Sequence, residues 1–249
     1  MRIAIRILGG LLVLLLLAGG ALVAMYLSWR EPIRGLEEDI GEEVVDGDRV
    51  HSFGPALGAA YERLIQLRRE IGYPSVSAAV AVDGKIFWTH AQGYADLDRA
   101  ARATPDTIYP VGSVSKPLTA AVVMRLADRG VIDIDKDIRT YLPSFPAKAY
   151  PFTTRQLLSH QAGVRHYRLA FAPPTFSEFG SNVAYANVRD SLAVFADDPL
   201  LFEPDTAFEY SSHGYTVLAA VAEAAAGRPF LNVMQAEFVR SARHGGIRA

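Results

Sequence analysis

The amino-acid sequence predicts an α+β fold, and three patterns carry that prediction. Ser75–Val82 and residues 85–93 are rich in Val, Ile, Phe and Trp, and the pair between them, Asp83-Gly84, suits a two-residue turn with positive φ at the glycine. The two runs therefore read as an antiparallel hairpin. Ahead of it, Leu57, Tyr61, Leu64, Ile65 and Leu67-Arg68 follow helical spacing and stop at Gly72, which predicts a helix buried along one face. Behind it, residues 113–129 place Leu118, Val122 and Arg125-Leu126 at helical spacing, and Gly130 supplies the stop.

The remaining elements follow from local signals. Pro117 fits the first turn of a helix, where its missing N–H is harmless, so the second helix starts close to Ser113. Beyond Gly130 the chain becomes turn-rich and helical. Thr153-x-x-Gln156 is a capping box for a short helix over 155–161, closed by Gly163. A last clear helix covers 215–225 and ends at Gly227, and its alanine-rich part, 219–226, is a strong helix former. No internal repeat or low-complexity tract stands out.

Composition bounds the function. With 249 residues, half of them apolar, the chain can bury one substantial core, and one domain with appendages is the expected organisation. A net charge of −2 provides no broad basic surface, which argues against a nucleic-acid partner. Cysteine is absent, so disulfides, thiolate catalysis and cysteine-ligated zinc or iron–sulfur centres are excluded. No cofactor and no metal is expected: "DIDKDI" at 133–138 has Ile138 where a calcium loop needs its turn glycine. His160 and His166 straddle a helix end with no carboxylate placed beside them, so capping or core packing explains them better than metal binding.

The N-terminus addresses the compartment. Arg2 and Arg6 precede an uncharged run over 7–27, roughly 21 residues or about 31 Å as a helix, enough to span a bilayer. Gly19 and Ala21 also permit a signal peptide cleaved nearby. The apolar run continues to Leu27 and ends in Trp29 and Arg30, an interface-like pair, which favours an uncleaved anchor in segment 1–28. Either way the rest is exported, to the outer face of an inner membrane or to the periplasm. Residues 29–53 are charged, with acidic clusters such as Glu37-Glu38-Asp39, and read as a juxtamembrane linker; 54–249 is the folded domain.

Two stretches can carry chemistry. In "VGSVSKPLTA" Ser113 precedes Lys116 by three residues at a helix start, where positions i and i+3 share a face. Serine would be the nucleophile and lysine its base, and free N–H groups at the helix start would favour negative charge on an attacked carbonyl oxygen. A lysine must be neutral to act as a base, which requires desolvation or a neighbouring cation. A capping serine with a solvated lysine explains this stretch equally well, and Ser115 reads as structural. In "FEYSSHGYTVLAAVAEAAAG", Tyr210 and Ser212 stand in a loop just before a helix. The phenol can relay protons, but a core aromatic followed by a capping serine is the simpler account of this stretch alone.

Both stretches occur in the order and context of one superfamily. With "PSVSAAVAVDGKIFWTHAQGYADLD", "YPVGSVSKPLTAAVVMRLADRGVIDIDKDIRTYLPSFP" and "TTRQLLSHQAGVRHY", the chain resembles the serine beta-lactamase-like and penicillin-binding superfamily over most of residues 74–230. That group includes class C beta-lactamases, D-alanyl-D-alanine carboxypeptidases and serine esterases. "SHQAGVRHY" and "YSSHGY" resemble its mitochondrial-type branch and bacterial relatives. The resemblance implies an antiparallel sheet flanked by helices with a mainly helical insertion, and a serine hydrolase forming an acyl-enzyme on an amide, ester or beta-lactam carbonyl of a small molecule or peptide. It implies Ser113 as nucleophile, Lys116 as base, Tyr210 as proton relay and Ser212 as a substrate contact in a place where many relatives have asparagine. Superfamily members continue into further strands with a Lys- or His-x-Gly motif. This sequence stops before them and reads as C-terminally truncated, because His244–Gly246 lacks strand-like flanks. A truncated, catalytically inactive, membrane-anchored protein stays open as the alternative.

Overall fold

The computed structural model of the protein describes residues 16–24, 41–45, 50–168, 178 and 183–239. The chain divides into two compact units, Met1–Tyr109 and Pro110–Ala249.

In the first unit, β2 (Ser75–Val82) and β3 (Lys85–Asp96) form the expected hairpin, with Asp83 at φ 54° and Gly84 at φ 75°, both positive as a tight turn of this hand requires. β1 (Gly41–Val45) pairs antiparallel with β3 from Gly41 opposite Gln92 to Val45 opposite Trp88, and the short β4 (Ala101–Arg102) meets β3 at Tyr94 and Asp96. The sheet order is β1-β3-β2, with β4 also on β3. β1 falls within the stretch read from sequence as linker. Backbone hydrogen bonds make the pairing, and acidic composition neither provides nor forbids them.

Helix α1 (Val50–Ile71) begins earlier than its apolar spacing indicates and ends where Gly72, at φ 77°, turns the chain. Leu57 packs with Phe87 and Trp88 in a small core. Gly93 sits at φ 93°, and a Cβ there would lie 2.1 Å from the Pro74 carbonyl oxygen, so only glycine fits. Of the apolar run at 7–27, only 16–24 is described, and it is helical with Leu16, Leu17, Leu22 and Val23 exposed. Among the described residues no single helix is long and apolar enough to cross a membrane.

The second unit is helical. A 3₁₀ turn (Gly112–Val114) leads into α2 (Ser115–Asp128), so the helix starts beside Ser113 and carries Pro117 in its first turn, as expected. α3 (Thr154–Leu158) has the full capping box, with Thr153 accepting from Gln156 N–H and the Gln156 side chain accepting from Thr153 N–H. It closes at His160, not at Gly163. Gly163 instead lies at φ 74° against the Phe202 carbonyl, 2.5 Å from where a Cβ would stand. After the short α4 (Val188–Ser191), α5 (Ser212–Ala226) starts three residues before its apolar periodicity does, because Ser211 accepts Gly214 N–H and caps it. Gly227 ends α5 at φ 65°, and α6 (Phe230–Met234) follows.

α2 and α5 form the centre of this unit. Val122, Val123 and Leu126 of α2 are buried with Val217, Leu218, Ala220, Val221 and Ala222 of α5. The alanines of α5 do more than favour helix: their small side chains bring neighbouring elements close on nearly all sides. The fold is α+β as expected, a small antiparallel sheet plus helices, and His244–Gly246 lies outside the described residues.

Candidate active site

The 3₁₀ turn holds Ser113 exposed at the mouth of α2, and one helical step onward Lys116 is half-buried. Lys116 Nζ donates to Ser113 Oγ at 3.0 Å. From the far side of the second unit, Tyr210 OH donates to the same oxygen at 2.9 Å. The Lys116 ammonium also lies over the Tyr210 ring, 4.8 Å from its centroid. Three residues spread over 97 positions of sequence thus meet at one hydroxyl oxygen.

Ser212 lines the same cleft, with Tyr215, Tyr167 and Asn187, in an open volume of about 1020 Å³. Among the described residues its side chain makes no hydrogen bond to Ser113 or Lys116. Ser115 donates to the Gly112 carbonyl at 2.7 Å, in keeping with a structural role. The free N–H groups expected at the helix start are partly used: Val114 N–H bonds the Val111 carbonyl, and Ser115 N–H bonds back to Gly112 and Ser113. A tightened turn ahead of a helix satisfies donors that a bare helix start would leave open.

Burial and the lysine together set the electrostatics at the cleft. Hydrogen bonding to Lys116 first, then to Ser113, holds the Tyr210 phenol below its ordinary pKa. Burial raises that of Tyr215. Burial first and the Lys116 charge second depress His160 and His166.

The loop carrying Tyr210 is anchored from beneath. Ser211 Oγ donates to the Arg165 carbonyl at 2.7 Å. The Arg165 guanidinium bonds Asp198 at 2.6 Å and both oxygens of Glu178 at 2.7 and 3.0 Å. Burial alone would raise the Glu178 pKa, but these bonds and the Arg168 backbone N–H take it from 4.5 to about 2. Sequence reading missed this support, and it placed the two histidines that flank Tyr210 in capping or core packing without linking them to Tyr210. The serine pair ahead of an apolar helical run, Ser211-Ser212, was the one local signal for the cap.

A serine hydroxyl contacted by an amine and a phenol is an arrangement in which an adjacent base can activate a nucleophile. Comparison with known proteins agrees. The family model described as Beta-lactamase matches residues 61–245, and the chain belongs to that family, whose relatives include esterases and penicillin-binding proteins. It is 29% identical to the human mitochondrial serine beta-lactamase-like protein LACTB over 75% of this chain and 45% of that one. It is 30% identical to esterase EstB of Burkholderia gladioli, over 74% of this chain and 48% of the esterase. Among solved structures, EstCE1, a hydrolase with promiscuous acyltransferase activity, superposes with a TM-score of 0.61 at 28% identity, covering 75% of this chain and 51% of that one. The chain spans about half the length of these relatives.

Proposed function

We propose that this protein is an exported, membrane-anchored serine hydrolase that works through an acyl-enzyme on an amide, ester or beta-lactam carbonyl. The observation that carries the reading is the double contact on Ser113 Oγ, from Lys116 Nζ at 3.0 Å and Tyr210 OH at 2.9 Å, in an open cleft. In the first half-reaction, Lys116, once it has shed the proton its ammonium carries in the resting site, takes the hydroxyl proton as Ser113 Oγ bonds to the carbonyl carbon. The tetrahedral intermediate then collapses. The bond to the leaving group breaks as the Tyr210 phenol gives it a proton, and the proton on Lys116 replaces the one Tyr210 has lost. In the second half-reaction, water gives a proton to Lys116 as its oxygen bonds to the acyl carbon, and the bond to Ser113 Oγ then breaks as that proton passes to the serine oxygen, releasing the acid. Ser212, on the cleft wall, contacts the substrate. The names of an esterase and of a promiscuous acyltransferase among the relatives favour ester-type carbonyls. Their sequence likeness supports the chemistry, while the choice of substrate follows from the cleft.

The anchor is supported by Arg2 and Arg6 ahead of the uncharged run 7–27 and by the exposed leucines of the helical stretch within it. Alkaline phosphatase fused after residue 53 tests the export: activity in intact cells is expected, and a fusion that is made but stays inactive, as in the reducing cytoplasm, overturns it. The mass of the mature chain separates an anchor from a cleaved signal. For the chemistry, wild-type protein should release one equivalent of chromophore from a chromogenic ester in a burst, and Ser113→Ala should not. Equal turnover by both would sink the nucleophile assignment.

A further inference from the structure

Tyr210 reaches Ser113 from a turn with no regular structure of its own, and two imidazoles brace that turn. His160 occupies the second position past α3, just after the capping residue Ser159, at φ 60°, in the left-handed region. Its N–H bonds the Leu157 carbonyl at 3.2 Å, and Gln161 N–H bonds the Gln156 carbonyl at 2.7 Å. That pair of bonds closes a helix in the manner that ordinarily selects glycine, so a histidine there needs a compensating contact. The ring provides one. His160 Nδ1 accepts Ser211 N–H at 3.1 Å, and the ring lies 4.7 Å from that of Tyr210 and 5.1 Å from that of Tyr215. His166 repeats the contact one residue along: its Nδ1 accepts Ser212 N–H at 3.2 Å, with its ring edge-on to Tyr210 at 5.5 Å. The two amides that follow Tyr210 are therefore both held by imidazole nitrogens.

An imidazole nitrogen accepts a hydrogen bond only when it carries no proton, so both rings must be neutral with the proton on Nε2. We propose that His160 and His166 are positioning residues that hold the Tyr210 phenol on Ser113, and that protonation of either ring releases the turn and switches the site off in acid. The proposal deepens, and rests on, the acyl-transfer reading.

The groups facing the two rings set where this happens. His160 faces Lys116 of α2, His166, Tyr210, and Tyr215 of α5. His166 faces Lys116, Glu209, Tyr210, Tyr167, and the buried His213 of α5. Burial and the Lys116 charge oppose protonation of both, and Glu209 alone pulls the other way, at His166. Neutral rings therefore persist at neutral pH, and the loss falls below the ordinary imidazole range.

Acylation by phenyl acetate, followed as phenol release from the full chain across pH, tests this. Other groups can also slow the reaction in acid, so the decisive variants keep an acceptor that does not titrate. Asparagine places its carbonyl oxygen close to the Nδ1 position and tolerates the left-handed backbone at 160. His166→Ala should slow acylation roughly 10- to 100-fold, the cost of a misplaced group, and His166→Asn should recover most of that loss. The double variant, His160→Asn with His166→Asn, should lose the imidazole break. A double variant whose pH profile matches wild type, or a His166→Ala protein as fast as wild type, overturns the proposal. Imidazole ¹⁵N spectra of the wild-type chain decide independently of activity: Nε2–H on both rings is expected, and Nδ1–H on either refutes the bracing. A wild-type chain that never acylates counts against the acyl-transfer reading alone, since the spectra still decide this one.

Discussion

Tyr210→Phe separates two roles for the phenol by magnitude. The substitution keeps the ring, and with it the contacts to His160 at 4.7 Å and to the Lys116 ammonium at 4.8 Å, and removes the hydroxyl with its bond to Ser113 at 2.9 Å and its interaction with Lys116. If that hydrogen bond merely orients the serine, its loss removes about 1 kcal/mol, which slows acylation roughly fivefold. If the phenol hands a proton to the leaving group, the loss is that of a general acid, about 10²- to 10⁴-fold. The leaving group sharpens the contrast. p-Nitrophenolate departs without a proton and should feel the substitution little, whereas an alkoxide or amine needs one and should feel it fully. Pre-steady-state acylation with a p-nitrophenyl ester and an alkyl ester of the same acid gives both numbers. Tyr210 is 38% exposed, so stability should fall by no more than about 1 kcal/mol. A drop of fivefold or less on the alkyl ester, or equal drops on both substrates, refutes the relay.

Lys116→Met should lower alkyl-ester acylation by at least about 10²-fold, and it should raise the Tyr210 phenol pKa toward its ordinary value, because the lysine is the largest cause of the depression. Ultraviolet titration against Tyr210→Phe as a blank reads that shift. Glu178 titrates lower folded, at about 2, than its ordinary 4.5, so its contribution is present above pH 4.5 and is lost as pH falls toward 2. Glu178→Gln should remove up to about 3 kcal/mol at neutral pH and flatten the urea midpoint over that window, and an unchanged slope would contradict the Arg165 pairing. Gly93→Ala drives a Cβ to 2.1 Å from the Pro74 carbonyl and should cost about 3 kcal/mol or more in urea unfolding. Gly72→Ala, at φ 77° with nothing within 4 Å, should cost only about 1 kcal/mol, and equal losses would show that backbone conformation alone decides.

What could be read from sequence was what short-range physics writes into it. The hairpin announced itself through runs rich in Val, Ile, Phe and Trp around Asp83-Gly84, and α2 through Pro117 and Gly130, because turn and cap chemistry act over a few residues. β1 was illegible, since a strand in an acidic stretch is held by a partner more than 40 positions away and its own residues carry no alternation. The start of α5 was displaced because apolar periodicity begins at Tyr215, whereas the cap, Ser211, lies outside that periodicity. At the site, Ser113 and Lys116 were legible as a spacing of three, and family resemblance brought Tyr210 in across 97 positions. His160 and His166 were assigned to capping or packing. Their contacts are to backbone amides of residues 211 and 212, and backbone amides leave no mark in the identity of the residues that carry them.

The central claim is that Ser113 is the nucleophile. Full-length protein treated with a fluorophosphonate and mapped by peptide mass spectrometry tests it most directly. The geometry predicts a single adduct on Ser113, absent from folded Ser113→Ala and formed far more slowly in Lys116→Met. A folded wild-type chain that takes up no probe, or an adduct on a different serine, would contradict it.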